Sequence, residues 1–130
     1  MASGIYVKLY REAYNNGLFG ALGAERWHTL SALAVHMNDR GECFPSQDSI
    51  ADHLGIRRET VNRRIKALCD FRWNGAPILT KQQRKSERSG QFTHTVYQLT
   101  ADCGFQFGSS EEVDESEPSD TDVNYRVTLM

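Results

Sequence analysis

Residues 55–68 read GIRRETVNRRIKAL, four arginines and a lysine around the apolar series Val61, Ile65 and Leu68. Spacings of four and three put those three residues on one face of a helix. At about 100° per residue, Arg63 then falls nearly opposite the stripe, Glu59 and Lys66 lie beside it, and Asn62 and Thr60 occupy the flanks. Arg57 and Arg58 stand at the N-terminal end. Immediately upstream, Ser46 can cap a preceding helix by accepting backbone N–H bonds. Asp48 in the first turn suits the helix dipole. Ile50, Ala51 and Leu54 are its inward positions, and Gly55 is a natural stop. Two short helices about a glycine, the second strongly basic and running from about residue 58 to 71, describe a helix-turn-helix.

The flanking sequence supplies the remainder of a larger unit. Residues 5–10 form a short apolar and aromatic run, residues 11–16 a helical turn, and residues 18–23 a glycine-punctuated connector. Trp27, Leu30, Leu33, Ala34 and Met37 repeat at three and four, which predicts a helix over residues 24–38. Turn chemistry at residues 38–41 precedes a short strand at 42–44. Beyond the basic helix, residues 72–77 read as a turn and residues 77–84 as a strand. Residues 85–90 are a polar tip and residues 91–100 a second strand. In that second strand, Val96 stands on one face with Phe92, His94 and Gln98, and Tyr97 and Leu99 stand on the other. The pattern leaves open which face is inward. A basic hairpin after a helix-turn-helix makes a wing. The expected class is therefore α+β, a winged helix-turn-helix with a three-helix core and a β-hairpin wing. Residues 1–23 form an N-terminal extension packed on the core, residues 24–103 the winged domain, and residues 104–130 an acidic tail. That tail is rich in Ser, Glu and Asp, and the expectation is disorder, because it cannot bury enough apolar surface to offset chain entropy.

Charge is segregated along the chain. The formal net charge is −2 over 130 residues, yet residues 57–88 hold 10 basic and 3 acidic residues. Residues 104–130 hold seven acids and a single arginine, Arg126. This asymmetry points to an anion-binding body with an acidic appendage.

The basic helix carries more than a charge rail. Arginine makes bidentate bonds to guanine O6 and N7, asparagine pairs with adenine N6 and N7, and glutamate accepts from cytosine N4. Arg57, Arg58, Glu59, Thr60, Asn62, Arg63 and Lys66 are the candidate contacts on this helix. Arg64, lateral to the stripe, suits a phosphate contact or a structural ion pair. Lys81, Arg84, Lys85 and Arg88 of the wing extend the basic surface toward an adjacent groove or its phosphates. Gln47, at the start of the preceding helix, suits a phosphate or anchoring bond. Arg72 and Trp73 can fix the wing on the helix.

Residues 43–68, CFPSQDSIADHLGIRRETVNRRIKAL, resemble the helix-turn-helix family found in plasmid and phage replication proteins of bacteria. The shared positions are Pro45, Ser46, Gln47, Ala51, Leu54, Gly55, Ile56, Arg58, Thr60, Val61, Arg63, Ile65 and Leu68. The upstream run YVKLYREAYNNGLFGALG and the tryptophan helix are similar to that family's N-terminal extension, so the resemblance covers roughly residues 5–100. Arg57 departs from the pattern, since the family usually places there a serine able to cap the second helix. The resemblance implies double-stranded DNA binding, in replication initiation or its control on a plasmid, phage or other mobile element. A transcriptional repressor is the alternative within DNA binding, and a protein-docking adaptor the alternative from another class.

Enzymatic readings find no support. His28, His36, His53 and His94 lack cysteine or carboxylate neighbours at ligand spacing, so neither a metal nor a cofactor is expected. Neither a nucleophile-elbow motif nor a phosphate-cradling glycine loop occurs. Cys43, Cys69 and Cys103 show no CxxC spacing and read as reduced thiols of a cytoplasmic protein. No run reaches the roughly 20 apolar residues of a membrane helix. The expected partner is double-stranded DNA. A homodimer and a replication or other protein engaged through the acidic tail stand as further candidates.

Overall fold

A computed structural model describes residues 4–85 and 92–110 of the chain. In chain order it contains β1 (Ile5–Leu9), α1 (Glu12–Asn15), α2 (Leu18–Ala34), β2 (Glu42–Cys43), α3 (Gln47–Leu54) and α4 (Arg58–Asp70). There follow β3 (Arg72–Trp73), β4 (Ala76–Pro77), β5 (Leu79–Lys85), β6 (Phe92–Leu99), a 3₁₀ turn at Ala101–Cys103 and β7 (Phe105–Ser109). Helices α2, α3 and α4 pack together, and the antiparallel sheet β2-β6-β5 leans on them. This is a winged helix-turn-helix, with β5 and β6 as the wing.

The helix-turn-helix forms for the reasons its sequence supplies. Ser46 Oγ accepts from the Ser49 N–H at 3.0 Å, and Gly55 closes α3 in the left-handed region at φ 71°. Both the Gly55 and the Ile56 N–H groups then bond the Ala51 carbonyl, which fixes the turn. On α4, Val61, Ile65 and Leu68 are each 0 % exposed, so the stripe is the buried face. Between α4 and the wing, Asn74 and Gly75 adopt φ 55° and 84°, the paired positive dihedrals of a tight hairpin turn. Trp73, beside that turn, packs half-buried against the core.

Both boundaries of α2 differ from expectation. Residues 18–22, expected as a connector, are helical because Leu18 and Leu22 sit one turn apart and are both buried. Gly23, at φ 79° and ψ 171°, breaks this first segment from the one that follows. The helix also stops at Ala34 rather than near residue 38. His36 and Met37 tighten the exit with bonds to Leu33 and Ala34, and Met37 is still buried. In the wing, β6 turns Tyr97 and Leu99 into the core, settling the face that alternation left open. Val96 on the other face is buried too.

The largest difference lies at the C-terminal end. Residues 104–110 do not belong to the disordered tail that composition predicts: β7 pairs antiparallel with β1 from Ile5↔Ser109 to Leu9↔Phe105. The signal is the alternation of Phe105 and Phe107, a period-2 pattern overshadowed by the acids beyond it. Phe105 stacks on Trp27 at 5.3 Å between ring centroids, and Phe19 packs against the same indole at 4.2 Å. Gly104 turns the chain into β7 at φ 91°, and a Cβ there would come within 2.8 Å of Ala13 Cβ. The expected disorder of residues 111–130 lies outside the described residues.

Truncation of Ile65 to Ala is expected to cost about 2–5 kcal/mol, the range for buried aliphatic side chains. Phe105→Ala should cost less than the about 3–5 kcal/mol of a fully buried phenylalanine, yet clearly more than zero. Denaturant unfolding of both variants checks this; wild-type stability of Phe105→Ala would mean that β7 does not hold the N-terminal strand.

Candidate nucleic-acid interface

The buried stripe sets the rotation of α4 and so decides where its polar residues go. Arg58, Asn62 and Lys66 follow one another at four-residue spacing on the flank facing the wing. Across from them, Lys81 rises from β5. Between the two lies an open cleft of about 560 Å³ whose lining includes Gln47, Arg58, Glu59, Asn62 and Lys81. Five of the residues singled out from the sequence thus share one concave surface. Lys66 and Lys81 line an adjoining hollow beside Cys69 and Asp70.

The cations in this cleft are only lightly held. Arg58 stands 3.7 Å from the Asp48 carboxylate, with both side chains mostly exposed. Such surface pairs contribute about 0–1 kcal/mol, so Arg58 can exchange Asp48 for a phosphate at little cost. The amides are more tightly organised. Gln47 Nε2 donates to Asn62 Oδ1 and to the Tyr97 hydroxyl, each at 3.4 Å. Tyr97 is 2 % exposed, and burial raises its phenol pKa above the ordinary value.

Other candidates are placed elsewhere. Arg63 and Arg64 face α2, where Glu25 meets Arg63 at 3.4 Å and Arg64 at 3.7 Å. Arg63 stays exposed, but Arg64 is largely buried and bonds His28 Nδ1 at 3.2 Å. Arg64 is therefore part of the α2–α4 packing. Thr60 is half-buried and by helical phase shares that flank. Arg57 occupies the N-cap position of α4 in extended geometry, exposed and without a side-chain cap bond. On the wing, Arg84 pairs with Glu42 at 3.1 Å, so its charge is matched and its guanidinium is drawn toward β2. Lys85 lies within β5, and Arg88 falls outside the described residues.

Sequence reasoning missed several residues of the cleft. Phe44, His94 and Tyr97 line it, with Phe44 and His94 in edge contact at 5.9 Å. The i, i+2 phase of Thr95 and Tyr97 was the available signal for the wing's contribution. Glu25 and His28, which hold Arg63 and Arg64, stand three residues apart on α2, a spacing that could have marked them as one face.

Glu42 anchors the inner end of the wing. Its carboxylate accepts from Asn38, Arg84 and Arg40, and these bonds, Asn38's foremost and Arg84's next, hold its pKa below the ordinary value. The three cysteines are free, and burial pushes the Cys43 thiol up to about 12. Among the described residues no group of three His, Cys, Asp or Glu could hold a metal ion. No described helix is long and apolar enough to cross a membrane.

Residues 29–73 match the family model of a helix-turn-helix domain. The matched stretch includes the last third of α2, β2, all of α3 and α4, and β3, and so spans the helix-turn-helix of the winged fold. No curated protein and no solved structure matches the chain. The match supports a DNA-binding, regulatory role in general.

Two measurements check this geometry. Arg57→Ser supplies the missing cap and should raise stability within the about 0.5–2 kcal/mol range of N-cap substitutions; an unchanged unfolding midpoint would show that the α4 N–H groups are already served. Because its folded pKa is depressed, Glu42 contributes stability that is complete above the ordinary value of 4.5 and is lost as pH falls through the folded value. Stability of Glu42→Gln should accordingly fall less steeply on acidification than that of the wild type, whereas parallel pH curves would count against the network.

Proposed function

We propose that this chain binds double-stranded DNA with α4 in the major groove and the β5–β6 wing against the flanking backbone. The observation that carries this reading is the cleft in which Arg58 and Asn62 of α4 face Lys81 of the wing. A strand bordering the major groove would run along it, its phosphates met by Arg58, Lys66 and Lys81. Base edges would be met by Asn62, Glu59 and the exposed Arg63, which can leave Glu25 as readily as any surface pair. Arg57, at the helix entrance, suits a phosphate contact, and Gln47, at the start of α3, supplies an anchoring bond to Asn62. Thr60, Arg84, Lys85 and Arg88 complete the proposed surface as flanking positions, with Arg84 acting from its pair with Glu42.

The biological role we favour is replication initiation or its control on a plasmid, phage or other mobile element, in the cytoplasm. Its support is the resemblance of residues 43–68 to helix-turn-helix regions of replication proteins. Footprinting the full chain on DNA flanking its own gene tests it. Protection of direct repeats in an origin is the expected result, and protection of a promoter alone would assign a repressor instead. A homodimer on such DNA would show protected half-sites about 34–36 Å apart, one helical turn.

Lys81→Ala should weaken binding to all duplex sequences alike and lower the slope of log affinity against log salt by about 1. Titrations at several salt concentrations measure this. An unchanged slope would remove the wing from the interface.

A further inference from the structure

The bonds on the floor of the cleft form a chain that crosses from the wing to α4. Tyr97 is locked into the core by its ring, with its hydroxyl at the cleft. The side-chain amide of Gln47 gives one hydrogen to that hydroxyl and the other to Asn62 Oδ1. An amide group has two hydrogens, so both are committed. The consequence falls on Asn62. Its oxygen is turned inward to Gln47, and its NH₂ group is the end left to face the cleft. A free asparagine presents oxygen and nitrogen side by side and pairs with adenine, accepting from N6 and donating to N7. An asparagine held by its oxygen presents donors, and the major-groove edge richest in acceptors is guanine, with N7 and O6.

We propose that Tyr97 and Gln47 are positioning residues that hold the Asn62 carboxamide with its NH₂ outward, so that Asn62 selects guanine over adenine at the base it reads. This rests on the DNA-binding reading above and adds to it a specificity and the residues that set it. Asn62 suits the part by its place, midway between Arg58 and Lys66 on one flank. Those cations take the phosphates on either side and leave the amide at the base edges. Tyr97 gives the arrangement its stiffness, because a hydroxyl on a buried ring cannot follow a rotating amide. The wing thereby contributes to base choice without touching the base.

Selection of full-length protein against a library of randomised 20-bp duplexes tests the idea, with wild type, Asn62→Ala, Gln47→Met and Tyr97→Phe compared. Thermal unfolding of each variant serves as the control for folding. The position read by Asn62 is the one whose preference disappears in Asn62→Ala. At that position the wild type should favour guanine over adenine about tenfold, which corresponds to about 1.4 kcal/mol. Gln47→Met frees the carboxamide and should reverse the preference toward adenine. Tyr97→Phe keeps the ring and the Gln47–Asn62 bond but loses the anchor, and should reduce the ratio about threefold. A merely structural role for Gln47 or Tyr97 would lower affinity without moving this ratio. If the enriched motif carries adenine in the wild type, or guanine unchanged in Gln47→Met, the positioning role is overturned while DNA binding stands. If the wild type retains duplex but enriches no motif, the base selection is overturned while DNA binding stands; if it retains no duplex, the DNA-binding reading falls as well.

Discussion

Everything on the outer surface of α4 follows from the burial of Val61, Ile65 and Leu68. Each removes apolar surface from water at about 25 cal/mol per Å², and together they leave the helix one rotation. That rotation sends Arg58, Asn62 and Lys66 toward the wing, and Arg64 toward α2. Two arginines adjacent in sequence, Arg63 and Arg64, consequently end in different surroundings: one guanidinium stays in solvent, the other is enclosed beside His28 and Glu25. The Arg64 Nε is buried without a hydrogen-bond partner, a cost that its ion pair and its packing between helices must offset.

Local signals made the helix-turn-helix legible. Ser46, Gly55 and the three-and-four spacing of α4 each act within a few residues, where sequence and structure are nearly the same thing. The wing strands could be seen but not their faces, because β6 buries both Val96 and Tyr97 and so offers no clean alternation. The cleft was half legible. Its helix side could be phased from α4 alone, whereas Phe44, His94 and Tyr97 enter it through pairings of β2 and β5 with β6, which no short window reveals. Arg84 illustrates the same limit. Its charge suggested a DNA contact, but its partner Glu42 stands 42 positions away in sequence.

The N-terminal and C-terminal segments were the least legible. β1 has no partner nearby in the chain and finds one only in β7, and β7 was obscured by the acids after it. Their ribbon is secured to the helices by Val7, Phe105 and Phe107. It nonetheless leaves Ile5, Tyr6, Leu9 and Tyr10 substantially exposed, so the extension is fixed by one set of side chains while another faces outward.

That ribbon also joins the two ends of the described domain. The Gly4 carbonyl accepts from the Ser110 N–H, and the Gly4 N–H donates to Ser110 Oγ. Gly4 and Ser110 therefore lie side by side at one end of the ribbon. The seven acids between residues 111 and 122 follow Ser110 directly in sequence. A pull applied at either residue falls on the same few hydrogen bonds. β1 and β7 bear such a pull together through their paired register, and α3 and α4 lie outside that line of force.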